Sequence, residues 1–504
     1  MNLKAMLEEV AEHYGEKTAI VLGDRRLSYA ELDGASNKVA NALIKMGVSK
    51  GDRVAMLLSN SPEFVVIYFG VAKIGAIAVP LDTKYKADEL ASLFDDSQPK
   101  VLVTEDPLLK LLVPALPGFK YIEYVIVIDL DSPYAGRFLS YQEIMATSSV
   151  KRVEVGPGPE DIANIAYTSG PTFNPRGVVL SHQHLVTRAA MLGKGLQQTG
   201  EDVAILFALP MHHVVGLEAV LLASISRGST VVMLSGLSIS GLMEIIEREK
   251  ATIFMGVPFI YILMVRAAEE EGIGHDLSSL RLCCAGGAPM PVGVIKRFKQ
   301  LYGLDTSQFW GLTEAAAFVA CQSIDGTGKL GSAGKPLPGY EVRIVDDNGK
   351  ELSPNQPGEI IVKGPMLDRY YNNPRATAET IRDGWLYTGD IGKVDGDGEL
   401  FILGMKKEMI IAKGQNIYPG DIEDVLYTHP KVAEAVVVGI PDELRGEVIR
   451  AVVSLKAGEV ATEQEIKRFC LGRIANYKVP KQVVFLDSLP RTATGEIRKE
   501  DLRK

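Results

Sequence analysis

The strongest constraint in this chain is an alternation. Short apolar runs take turns with helix-patterned segments as far as about Gly339. The run from Asp52 to Leu58 reads as a strand. The stretch Glu63–Ile77, with Phe64, Ile67, Tyr68, Val71 and Ile74 at helical spacing, reads as a helix. Ala78-Val-Pro-Leu, a helix over Asp88–Asp95 and a strand over Lys100–Thr104 follow, and apolar runs return near residues 204–209, 230–234, 252–255 and 280–285. Strands separated by helices cannot pair as hairpins. They pair in parallel, with helices covering both sheet faces. The run Val214–Ile225 is too short for a membrane span and Glu218 interrupts it, so it reads as a buried helix.

Past Gly339 the pattern changes. Glu341–Val345, Glu359–Lys363 and Glu399–Leu403 are strand-like and separated by turn signals such as Asp347-Asn-Gly and Asp395-Gly-Asp-Gly. Beyond Lys407 a compact α+β pattern begins, with helices over Asp421–Leu426 and Thr462–Leu471 and strands over Val432–Gly439, Val448–Leu455 and Gln482–Phe485. The fold class expected is therefore α/β. A large N-terminal body of parallel and mixed sheets (1–403) carries a small β-rich subdomain, and a hinge (404–407) leads to a small α+β domain (408–504). A chain of 504 residues exceeds what one core can bury.

Lys plus Arg number 54 against 63 Asp plus Glu, a net charge of −9, which gives no general attraction to nucleic acid or anionic membrane. Cys283, Cys284, Cys321 and Cys470 form no C-x-x-C pair and no zinc-ligand spacing, so reduced thiols in the cytoplasm are expected. The start, Met1 to Glu12, does not have the make-up of a signal peptide. Gly326-Thr-Gly-Lys-Leu-Gly satisfies G-x-G-x-x-G, but no strand precedes it closely and Pro336 and Pro338 oppose a following helix, so it reads as a connecting loop.

The segment Ala166-Tyr-Thr-Ser-Gly-Pro-Thr-Phe-Asn-Pro-Arg-Gly-Val combines hydroxyls, glycine and a cation, the ingredients of a phosphate cradle without a Walker lysine. It resembles the phosphate loop of the adenylate-forming superfamily, matching at Tyr167, Thr168, Ser169, Gly170, Thr172, Pro175, Gly177 and Val178. Further motifs follow in family order: Leu209-Pro-Met-His-His-Val-Val-Gly, Cys284-Ala-Gly-Gly-Ala-Pro, Trp310-Gly-Leu-Thr-Glu, Gly384-Trp-Leu-Tyr-Thr-Gly-Asp, Lys413-Gly-Gln-Asn-Ile-Tyr-Pro and Leu489-Pro-Arg-Thr-Ala-Thr-Gly. The chain is similar over its whole length to AMP-forming acyl-CoA synthetases.

The resemblance implies ATP, Mg²⁺ and CoA as cofactors, a small carboxylic acid as substrate and a homodimer as a compatible assembly. It places Thr168, Ser169, Gly170, Thr172 and Arg176 on the phosphates and Thr313 on the α-phosphate. Glu314 would be the Mg²⁺ ligand, a hard carboxylate for a hard cation. Asp390 would accept both ribose hydroxyls, while Ala288, Trp310 and Gly311 would border the adenine. His213 falls beside the acid carboxylate, and His212 has no assigned part. Gly414 matches the glycine lining the pantetheine tunnel, and Lys407 is the hinge residue. An apolar pocket for a fatty or aromatic acid is expected from Met211, Val214, Val215, Val257, Phe259 and Ala315–Ala317.

The departures cluster where phosphate charge must be met. Pro171 and Phe173 replace Thr and Gly, Arg176 replaces Lys, Met405 replaces Arg and Ile411 a Lys, and Glu496 stands at the adenylation lysine. Losing one such cation costs roughly 10²–10³ in rate. A reversed charge adds repulsion of about 4 kcal/mol at 4 Å and an effective dielectric of 20. A second reading is thus a diverged member impaired in adenylation, which binds nucleotide or acyl-CoA or performs only the thioester step. A peptide-synthetase-type enzyme is a weaker third reading, because His213-Val-Val-Gly offers no carboxylate to an amino group. The motifs alone leave a luciferase-like oxygenase open.

Overall fold

The computed structural model describes residues 1–131, 138–168, 176–234, 236–288, 290–412, 415–442, 446–471, 473–492 and 496–503. The backbone groups into two compact units, one of residues 1–255, 311–318 and 364–383, the other of 256–310, 319–363 and 384–504.

The first unit holds a sheet in the order Leu139–Ser140, Tyr124–Ile128, Val101–Glu105, Arg53–Leu57, Ile77–Leu81, Ile162–Tyr167, Gly177–Ser181. All neighbours are parallel except the last pair, an antiparallel hairpin. The expected strands at 52–58, 78–81 and 100–104 all lie in it. The first crossover helix is Pro62–Lys73, capped by the Ser61 side chain and led by Pro62. It is shorter than the periodicity predicts. Gly75 takes φ +72°, and Ile77 already belongs to the next strand. The apolar spacing of Ile74 and Ile77 continues into a turn and a strand that are buried for a different reason. A second group of strands, Ile253–Gly256, Val203–Leu206, Thr230–Met233 and Thr18–Leu22, is parallel, and Arg25–Ser28 closes it as a hairpin.

Helix Pro62–Lys73 is buried almost all round, down to the side chain of Lys73. A buried ammonium needs counter-charges. Asp33 Oδ1 at 2.6 Å and Glu8 Oε1 at 3.2 Å supply them.

In the second unit Leu282–Ala285 pairs in parallel with Thr306–Leu312. The stretch after Gly339 forms antiparallel strands Glu341–Val345, Gly358–Lys363, Trp385–Val394 and Leu400–Met405. The last part is an α+β fold around strands Val432–Asp442 and Gly446–Leu455. Its alternating residues feed two cores. Ala435 and Val437 join Ile422, Leu426, Ile449 and Ile466 on one face, whereas Val436, Val438 and Ile440 join Val452, Leu489 and Leu502 on the other. The G-x-G-x-x-G segment is a loop of turns, with Gly326 and Gly331 at φ +77° and +79°. All four cysteines are free and buried. Among the described residues no helix is long and apolar enough to cross a membrane.

Replacing Asp33 by Ala leaves Lys73 with Glu8 as its one remaining counter-charge among the described residues. Breaking a buried pair in this way lowers the unfolding free energy by about 3 kcal/mol, to be read from urea unfolding of the two proteins.

Candidate active site

Strands Ile162–Tyr167 and Gly177–Ser181 carry the ends of the phosphate loop. Thr168 N–H donates to Arg176 O at 3.2 Å, which closes the hairpin below the tip. Ser169, Gly170, Pro171, Thr172 and Phe173 lie outside the described residues, as does Gly414. Arg176 sets its guanidinium 5.6 Å from the Tyr370 ring centre. The Tyr370 hydroxyl donates to Glu314 Oε1 at 2.7 Å. Burial and the Glu314 charge raise the Tyr370 pKa, so the phenol keeps its proton and remains a donor. The loop cation and the expected metal carboxylate are thereby joined through one aromatic ring. Nothing in the motif reading marked Tyr370.

Glu314 sits with Thr313 in the turn that follows strand Thr306–Leu312, and Leu367 N–H donates to its carbonyl at 2.6 Å. Among the described residues no Lys or Arg pairs with its carboxylate. A partly exposed carboxylate held by one neutral hydroxyl fits Mg²⁺, which takes few protein oxygens and completes its shell from phosphates and water. Gly311 is required by packing. A Cβ there would stand 2.2 Å from Ala317 O.

The segment Leu209-Pro-Met-His-His is pinned by Asn60, whose amide donates to Leu209 O at 2.9 Å and accepts from Met211 N–H at 2.8 Å. Ala208 is held at φ +56°, a strained conformation for a residue with a side chain. His212 Nε2 lies 3.8 Å from Asp82 Oδ2. Burial first, with His213 adding to it and Asp82 opposing, brings the His212 pKa down to about 4. Burial also lowers that of His213, so both imidazoles are neutral near pH 7. Val214–Ile225 is helical as expected. Its first part, Val215–Leu222, is π-helical, a form frequent at functional sites. Met211, Val214, Val215 and Ala315–Ala317 are buried.

In the second unit Trp310 Nε1–H donates to Asp390 Oδ2 at 2.9 Å. Asp390 N–H in turn donates to Thr388 Oγ1 at 3.0 Å. Gln308, two residues along the strand, has a buried Nε2 with no hydrogen-bond partner among the described residues, and its Oε1 accepts from Met290 N–H near exposed Ala288. Such a donor set suits an adenosine. Met405 is the cross-strand partner of Asp390, so no cation stands opposite that carboxylate at this register position. The expected pocket residue Phe259 is already engaged, with the Arg491 guanidinium 4.0 Å from its ring centre.

Lys406–Glu408 form one turn of 3₁₀ helix. Lys406 is tied to Asp347 and Glu359 at 2.9 and 3.0 Å, Glu408 to Lys499 at 2.8 Å, and Lys407 between them is exposed. Glu496 is exposed, and its N–H donates to Thr492 Oγ1 at 3.1 Å. Glu408 and Lys407 are the charges that act on its carboxyl.

The first unit thus carries a loop hairpin ending in a cation that is joined to a carboxylate, and the second an aromatic–aspartate pair, groups of the kind a nucleotide-dependent enzyme uses. Residues 7–371 match the family model of the AMP-binding enzymes and residues 421–496 that of their C-terminal domain. The indoleacetate–CoA ligase of Aromatoleum aromaticum is 37% identical, over 100% of this chain and 98% of its own length. The long-chain-fatty-acid–CoA ligase of Bacillus subtilis is 35% identical, over 99% and 94%. The crystal structure of an anthranilate CoA ligase with anthranoyl-AMP superposes with a TM-score of 0.93 at 29% identity, covering 100% of this chain and 96% of that one. The chain therefore belongs to the AMP-binding enzyme family, as an AMP-forming ligase of the acyl-CoA synthetase type. The ligase names of these relatives give no support to a member that has lost adenylation.

A neutral, half-buried His212 makes stability pH-dependent. Its folded pKa of about 4 lies below the ordinary value of 6.5, so the unfolded chain takes up the proton first. Stability from this group is complete above pH 6.5 and falls between pH 6.5 and 4. His212→Gln is expected to flatten that part of the profile, measured by urea unfolding across the range. Gly311→Ala is expected to weaken ATP binding at least tenfold through the forced shift of the Ala316–Ala317 backbone, as read by calorimetry.

Proposed function

We propose that this protein activates an apolar carboxylic acid, fatty or aromatic, as its acyl-AMP and transfers the acyl group to CoA. The observation that carries this reading is the Arg176–Tyr370–Glu314 connection, which joins the loop cation to the carboxylate. In the first step a carboxylate oxygen attacks the α-phosphorus of ATP, and pyrophosphate leaves. In the second the CoA thiol attacks the acyl carbonyl, and AMP leaves.

Thr168, Ser169, Gly170, Thr172 and Arg176 would hold the phosphates, with Thr313 donating to the α-phosphate. Glu314 would hold Mg²⁺, which when bound neutralises charge on the phosphate oxygens. Asp390 would accept the ribose hydroxyls, its orientation supported by the Trp310 indole. Ala288, Trp310 and Gly311 would border the base. His213, neutral because burial lowers its pKa, would offer an N–H to the acid without trapping it as an ion pair. The buried aliphatic side chains of Met211, Val214 and Val215 and the small Ala315–Ala317 run favour an apolar acid.

Residues 1–403 are proposed as the catalytic body and 408–504 as a moving domain. Support comes from two cores built wholly from residues beyond 409 and from the opposite ties of Lys406 and Glu408 around exposed Lys407. Rotation there would exchange Glu496 for Gly414 between steps. Four free thiols favour a cytoplasmic setting. A homodimer is the proposed assembly, readable by light scattering.

Turnover is expected with ATP, Mg²⁺, CoA and a panel of medium-chain, long-chain and aromatic acids, measured as acid-dependent AMP release. Glu314→Gln should lower it by roughly 10²–10³. No turnover across the panel, together with no ATP binding by calorimetry, would overturn the reading.

A further inference from the structure

Arg188 and Glu218 are both fully buried at the side chain and lie 3.1 Å apart, Nη1 to Oε1. Arg188 belongs to helix His182–Gly195 and Glu218 to the π-helical segment that begins just after His213-Val214. A carboxylate inside the apolar run Leu217–Leu222 contributes nothing to burial. Replacing a buried pair by apolar residues is often neutral or stabilising, so stability alone is a weak reason for it.

What the pair does hold is the Glu314 turn. The guanidinium is divided three ways: Nη1 to Glu218, Nε to Pro365 O at 2.9 Å, and Nη2 to Glu314 O at 3.3 Å. On the other side the Ala317 N–H acts on the Glu218 carboxylate; with Arg188, it opposes the rise in pKa that burial imposes. One member of the pair therefore grips the main chain at Glu314 and the other faces it at Ala317. Pro365 and Leu367, both tied into the same knot, lead to Tyr370, whose hydroxyl fixes the Glu314 carboxylate. The helix on the acid side and the turn bearing the metal carboxylate are thus referenced to one buried charge pair.

We infer that Arg188 and Glu218 are positioning residues that set the Glu314 carboxylate for the Mg²⁺–ATP complex and reference it to the acid-side π-helix. The inference rests on the proposed role of Glu314. Three variants test it: Arg188→Met combined with Glu218→Leu, Arg188→Lys, and Glu314→Gln. Each is compared with the unchanged protein by thermal unfolding without ligand and by calorimetric ATP affinity in Mg²⁺ and in excess EDTA.

The double variant is expected to unfold at the same temperature or higher and to keep its ATP affinity in EDTA. Its gain in affinity from Mg²⁺ should fall about tenfold, the cost typical of losing a group that orients a metal ligand. Arg188→Lys keeps the charge beside Glu218 but lacks the fork that reaches Pro365 and Glu314, so it should lose the same gain. It decides the matter if the double variant does not fold. A wild-type Mg²⁺ gain in the double variant or in Arg188→Lys, with the gain lost in Glu314→Gln, overturns the inference and leaves the role of Glu314 standing. A wild-type gain in Glu314→Gln overturns both.

Discussion

A parallel sheet must be covered on both faces, and much of the first unit follows from that constraint. Strands Arg53–Leu57 and Ile77–Leu81 are buried through almost every residue, and the helix between them is buried nearly all round as well. Helix Tyr29–Lys45 packs against that helix, and its Asp33 supplies the counter-charge that a lysine in such a place demands. Burial on this scale leaves strand ends and turns as the places where polar groups can face a ligand.

The phosphate loop and Glu314 are found at such places, whereas Asp390 sits within a strand. The phosphate loop joins the one antiparallel pair of the seven-stranded sheet, so both of its stems lie in the sheet's hydrogen-bond ladder. Glu314 lies in the turn after Thr306–Leu312, and Asp390 on a long antiparallel strand whose backbone is locked by Thr388 and Glu359. A neutral hydroxyl donates to one carboxylate and an indole N–H to the other. Tyrosine does so for Glu314 and tryptophan for Asp390.

Much of this was legible in the residues. The strand–helix alternation, the change of character after Gly339 and the α+β ending all correspond to observed elements, with strand Glu341–Val345 recovered to the residue. Helix Pro62–Lys73 was read too long, because a buried turn and strand share the apolar spacing of the helix before them. Tyr370 was invisible, since its partners Arg176 and Glu314 are far away in sequence. For Glu218 a signal existed: a carboxylate inside an apolar run implies a buried cation. Which cation, and what else that cation holds, was not written in the run.

The sequence by itself determined the class of fold, the order of the motifs and the chemical type of each site group, because periodicity and residue chemistry are local properties. Only the tertiary structure decided which groups share a hydrogen bond or a charge. Tyr370 on Glu314, Trp310 on Asp390, Arg188 between Glu218 and the Glu314 carbonyl, and Asp82 near His212 are all long-range meetings. Their partners come from different elements, and the distances between those elements are fixed by how sheets and helices pack, which the local pattern of either partner does not encode.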